Sequence, residues 1–131
     1  MQNYLLKQVV VSDSHSPFNG LTVDIAVENG LITAIAPHIE PSEGYKVLAY
    51  NECLATPCFI DTRCNSSDPG LEHRETFHSL AQAAIAGGYH KIALLPNSNP
   101  VRQTKADIEF VMRQNSDNPI EFLPLGAITH N

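Results

Sequence analysis

The sequence predicts an α/β chain: a small antiparallel β unit followed by a parallel-sheet segment. Two observations carry that expectation. An Asn29-Gly30 pair stands between two short alternating runs, the strongest short hairpin signal, because both residues tolerate positive φ. Further on, residues 54–100 run as apolar strand, polar loop, amphipathic helix, glycine pair and second apolar strand. Strands alternating with helical patterns are the mark of βαβ units.

The elements follow in order. Residues 4–11 (YLLKQVVV) form an apolar, β-branched strand candidate. From Leu21 to Val27 the apolar residues Val23, Ile25 and Val27 recur with period two, as in a half-buried strand. The hairpin returns through Leu31–Ala36, and a short strand is expected over Tyr45–Tyr50. Residues 1–53 are therefore read as the antiparallel unit and 54–131 as the βαβαβ segment.

In that second segment the first strand is expected over Leu54–Asp61. Asp68-Pro69-Gly70 is a turn by composition. A helix over about Thr76–Ala86 shows an apolar stripe of Phe77, Leu80, Ala81, Ala84 and Ile85, stopped by Gly87 and Gly88. The next strand, Lys91–Leu95, is apolar on both faces. Thr104 and Asp107 suit a helix start, with Ile108, Val111 and Met112 as its stripe. A third strand is expected over Ile120–Ile128, with Pro124 discordant because proline offers no ladder donor. Three strands cannot close a barrel, which takes about 250 residues. Bare strand edges also lead us to expect self-association.

Composition narrows the function classes. The 131 residues are 43% hydrophobic and 17% charged, with a net charge of −6. An acidic chain is a poor match for nucleic acid or anionic membrane surfaces. No apolar run approaches the roughly 20 residues of a membrane span, and no secretory leader pattern opens the chain. Cys53, Cys58 and Cys64 are expected as reduced thiols in a cytoplasmic protein, since no CxxC pair suggests a metal site. None of the six histidines forms an i, i+4 ligand pair. Glu72 and Glu75 are expected in the solvated start of a helix.

Polar residues gather where the apolar strands end, the usual place for ligands in parallel sheets. Three blocks there, FIDTRCNSSDPGLEHRET, AGGYHKIALLPNSNP and LPLGAIT, are spaced as in the dihydroorotases of the cyclic amidohydrolase superfamily. The earlier DIAVENGLITAIA resembles the small β-sandwich strands that precede the barrel in that family. The resemblance covers essentially the whole chain and about the first third of a typical member. It implies the first three strands of a TIM-type (β/α)8 amidohydrolase barrel, incomplete in this chain.

In the family, an Asp-x-His-x-His segment followed by Leu-Arg supplies two zinc-binding histidines and a substrate-carboxylate arginine. The resemblance assigns Asp61 to the leading aspartate. Arg63 and Asn65 stand at the two histidine positions, and Ser67 at that of the arginine. Asn97 matches a substrate-contacting asparagine and is retained. Zinc takes imidazole, thiolate or carboxylate donors, whereas arginine has no lone pair and stays charged. Close to a dication it is repelled by several kcal/mol at an effective dielectric of about 20. Cys64 alternates to the other face of the strand and does not rescue the site.

The resemblance therefore implies a dihydroorotase homologue with no metal cofactor and no assigned catalytic residue. It leaves Asp61, Arg63, Asn65 and Asn97 as a vestigial pocket. Such homologues act as structural partners of aspartate carbamoyltransferase. Two alternatives stay open. One is an active amidohydrolase with an altered metal site that interconverts dihydroorotate and N-carbamoyl-L-aspartate. The other is a binding module in which Arg63, Ser67 and Asn97 form an anion pocket. Asp61 also has a purely structural reading, as a carboxylate that holds the strand-end backbone.

Overall fold

The computed structural model describes residues 2–128, so His130 lies outside the described residues. The chain divides into two compact units, Met1–Pro57 and Cys58–Asn131.

The first unit is one sheet built from β1 (Asn3–Val11), β2 (Thr22–Glu28), β3 (Leu31–Ala36), β4 (Tyr45–Ala49) and β5 (Leu54–Ala55). Its order is β3-β2-β1-β4, with β5 also on β1. Asn29 and Gly30 both take positive φ, 51° and 81°, and turn β2 into β3 as the sequence predicts. The unit is not purely antiparallel, however. β4 and β5 both run parallel to β1, β4 along Asn3–Lys7 and β5 along Val10–Val11. Period-two alternation reports which face is buried and is silent on the direction of the neighbouring strand, so this was not legible. Between those two pairings, β1 shifts register near Gln8, whose φ is 53°.

The core of this unit is Val9, Val11, Val23 and Ile25, with Phe18, Ile35 and Cys53 packed against it. Asp24 is fully buried beside that core. Its carboxylate accepts from Lys7 Nζ, from the Gln8 backbone at 2.8 Å and from the Ile39 backbone at 2.9 Å. One side chain thus pins the irregular turn of β1 to the segment after β3. Burial alone would raise its pKa, but these donors outweigh burial and hold the carboxyl far below the usual range.

The second unit contains β6 (Phe59–Cys64), α1 (Phe77–Ala86), β7 (Tyr89–Leu94), α2 (Lys105–Arg113) and β8 (Glu121–Pro124). The strands pair in parallel in the order β6-β7-β8. Both helices begin with a reciprocal capping box, Thr76 with Ser79 and Thr104 with Asp107. Phe77, Leu80, Ala81 and Ala84 of α1 and Val111 of α2 bury against Ile92, Leu94, Ile120 and Phe122. The Phe77 and Phe122 rings meet at 5.3 Å between centroids. Each of the larger side chains, the Phe, Leu, Ile and Val residues, contributes about 1.5–3 kcal/mol by its burial.

Several expected boundaries move. The strand expected over Leu54–Asp61 is two strands, because β5 joins the first sheet and β6 the second. Pro57 falls between them and offers no N–H to continue a ladder. The third strand ends at Pro124 and does not reach Ile128. Beyond it the backbone bonds singly, Leu125 to Leu94 and Ala127 to Arg102. Ile85 and Met112, assigned to the apolar stripes, are 44% and 46% exposed. Of the glycine pair, only Gly88 is left-handed.

Candidate functional site

The polar residues at the C-terminal ends of β6 and β7 are brought together by local backbone irregularity. Asp61 pairs with Ile92 and Cys64 with Leu94, so β6 spends one residue more than β7 over this stretch. Such a bulge re-aims the side chains beyond it. The Asp61 carboxylate accepts from the Arg63 backbone N–H at 2.8 Å and holds the bulge in shape. Asp61 therefore does what its structural reading expected.

Cys64 turns the other way. Its side chain packs against the core of the second unit, and its Sγ lies 3.2 Å from the Asn65 carbonyl. Burial, followed by the charges of Asp61 and Glu75, raises the thiol pKa. Arg63 is exposed, and its guanidinium enters no salt bridge among the described residues. Asn65 and Asn97 meet directly, Asn97 Nδ2 donating to Asn65 Oδ1 at 2.8 Å. Ser67 is half-buried, and its carbonyl accepts from Leu71 N–H at 2.7 Å. Of the candidate residues, then, Asn65 and Asn97 are joined, Asp61 and Arg63 share a bulge, and Ser67 serves its own turn.

Behind these residues the two loops are locked. Gly70 has φ of +104°, and a Cβ there would fall 1.9 Å from the Asn99 carbonyl oxygen. The Asn99 N–H donates to the Pro69 carbonyl at 3.1 Å. The Asp68-Pro69-Gly70 turn is thus pressed onto the loop that carries Asn97. Asp68 in turn accepts from the first N–H of α1, and burial raises its carboxyl pKa. Glu72 is exposed as expected, yet it also accepts from the Gly70 backbone at 2.8 Å.

The sequence reading missed Arg102. It is 1% exposed, in the loop between β7 and α2. Its Nη2 donates to the Leu95 carbonyl at 2.6 Å and its Nε to the Leu125 carbonyl at 3.4 Å. Burial lowers its pKa from the ordinary value, with Asp107 acting in the opposite direction. No sequence signal distinguishes such an arginine from a surface one.

No family model matches the chain. Individual proteins do. The chain is 35% identical to a dihydroorotase of Acetivibrio thermocellus over 126 residues, which is 95% of this chain and 29% of the relative. A dihydroorotase of Elusimicrobium minutum is 32% identical, with 98% of this chain and 29% of the relative aligned. Among solved structures, L-hydantoinase from Arthrobacter aurescens superposes with a TM-score of 0.76 at 20% identity, over 96% of this chain and 28% of that one. D-hydantoinase from Thermus sp. gives 0.62 at 18% identity, over 95% and 27%. The fold is that of the amidohydrolases. Within that class, the chain is a homologue of dihydroorotases and matches their N-terminal portion. It spans about 29% of the length of those relatives.

The residues at the family's histidine positions do not fit zinc. Arg63 has no lone pair to donate. The Asn65 oxygen is already an acceptor for Asn97, and Cys64 faces the core. Among the described residues, no three His, Cys, Asp or Glu side chains are grouped to hold a metal ion.

Proposed function

We propose that this chain belongs to a dihydroorotase-like protein whose strand-end site has lost its metal-dependent chemistry. In this reading it serves as a structural or regulatory partner of aspartate carbamoyltransferase in cytoplasmic pyrimidine synthesis. The observation that carries the proposal is the Asn97–Asn65 hydrogen bond, made where the family places a zinc ligand. It converts a metal-binding strand end into a neutral clasp between two loops.

The β6-β7-β8 unit corresponds to the opening strands of a TIM-type barrel. Its apolar residues at the start of β6, Phe59 and Ile60, are each 55% exposed. Further strands, or association with another chain, would cover them. No helix among the described residues is long and apolar enough to cross a membrane.

A second reading has one observation in its favour. Arg63 is exposed and unpaired among the described residues, and could face an anionic substrate of an active amidohydrolase with an altered metal site. One experiment separates the two. The intact protein is supplied with zinc, its metal content is measured, and N-carbamoyl-L-aspartate cyclisation is assayed. The first reading expects neither bound zinc nor turnover, together with co-purification with aspartate carbamoyltransferase. Zinc-dependent turnover overturns it in favour of the second.

A further inference from the structure

We propose that the cavity beside Arg102 is a binding site for a small carboxylate with an apolar body, separate from the Asn65–Asn97 strand-end site. The cavity measures about 280 Å³, several times the roughly 30 Å³ of one water. Pro100, Ala106 and Phe110 give it apolar walls, and Ser98, Arg102 and Asp107 its polar ones.

The guanidinium is what asks for a ligand. Arg102 is 1% exposed, and two of its nitrogens are spent on the carbonyls of Leu95 and Leu125. Its Nη1 is buried with no acceptor among the described residues. A buried charged donor without a partner is unfavourable. Arg102 also enters no salt bridge among the described residues.

Asp107 favours that charge through space but makes no salt bridge with it among the described residues. Its carboxylate accepts from the backbone N–H groups of Gln103 at 3.0 Å and Thr104 at 2.8 Å, so it serves the start of α2. Ser98 Oγ donates to the Pro100 carbonyl at 2.9 Å and has no proton left for a ligand. Recognition therefore falls to Nη1, the guanidinium nitrogen left without an acceptor, as a charge-assisted donor to one carboxylate oxygen. The apolar walls would take the rest of the molecule.

The test uses the intact, ¹⁵N-labelled protein titrated with sodium benzoate, with benzamide as the neutral molecule of the same shape. Saturable shifts are expected at the Ser98 and Ala106 amides. The dissociation constant for benzoate should be at least about tenfold lower than for benzamide. Arg102→Met, which replaces the charge with an apolar chain, should erase that preference. Ala106→Glu places a carboxylate at the cavity in the first turn of α2, where acidic residues are tolerated. It should abolish benzoate binding, and it decides the matter if Arg102→Met does not fold. No saturable shift, equal affinity for benzamide, or unchanged binding in Ala106→Glu overturns the proposal.

Discussion

Asn97 donates through Nδ2 to Oδ1 of Asn65 at 2.8 Å, a side-chain bond between the loop after β6 and the loop after β7, which the Asn99 N–H to Pro69 carbonyl bond also ties together. Both side chains are exposed, so water competes for the same groups. The bond occupies one lone pair of the Asn65 oxygen, an amide donor of a kind outside the thiolate, imidazole and carboxylate set that zinc takes.

Restoring the family's ligands should restore metal affinity. The double substitution Arg63→His with Asn65→His introduces two imidazoles and removes a repelling charge. The intact double variant is expected to retain more zinc after dialysis than the parent, as read by elemental analysis. Equal zinc content in the two proteins would sink the claim that these positions decide metal binding. Asn97→Ala alone should cost only about 0.5–1 kcal/mol of stability, the usual net value of one exposed hydrogen bond.

Gly70 is held against the Asn99 backbone at positive φ. An alanine there meets both a strained backbone conformation and a clash with an atom that cannot rotate away. Gly70→Ala should therefore destabilise the second unit by roughly 2–3 kcal/mol. A urea midpoint unchanged from the parent would show that the two loops are free to separate.

The buried Asp24 predicts acid sensitivity in the first unit. Its folded pKa is depressed, so the unfolded chain takes up the proton first as pH falls. The stabilisation is complete above about pH 4, near the ordinary carboxyl value, and drains away below it. Amide exchange of β1 and β2 should accelerate as pH drops through that range, after correction for the intrinsic rate. Asp24→Asn should flatten that dependence while costing about 3 kcal/mol at neutral pH, because Lys7 loses its partner. The same pH slope in both proteins would assign the effect elsewhere.

The thiols should separate by accessibility. Cys58 is exposed, while Cys53 and Cys64 are partly buried. Burial also raises the Cys64 pKa, which lowers its thiolate fraction. A chromogenic disulfide reagent should label one thiol quickly and two slowly, with the fast phase lost in Cys58→Ser. Rapid labelling of Cys64 would contradict its packing against the core.

The hairpin at Asn29-Gly30, the stripe of α1 and the capping box of Thr104 with Asp107 were legible because each depends on residues within a few positions of one another. Helical and strand periodicity, turn chemistry and caps are local physics. The departures from the family pattern at Arg63 and Asn65 were legible for the same reason, since which atoms carry lone pairs is a property of the residue itself.

Tertiary structure alone decided the rest. The parallel pairing of β4 and β5 on β1, and the division of the expected strand at Pro57, depend on partners distant in sequence. So do the Gly70–Asn99 contact and the Asn65–Asn97 bond, which join loops about thirty positions apart. Arg102 is the plainest case. Its charge is readable from the sequence, but its burial depends on where β7, β8 and α2 converge, which no local pattern encodes. Local residues specify each element and its chemistry. Which groups meet is set by the packing of elements across the chain, where burial decides whether a polar atom finds water or another part of the protein.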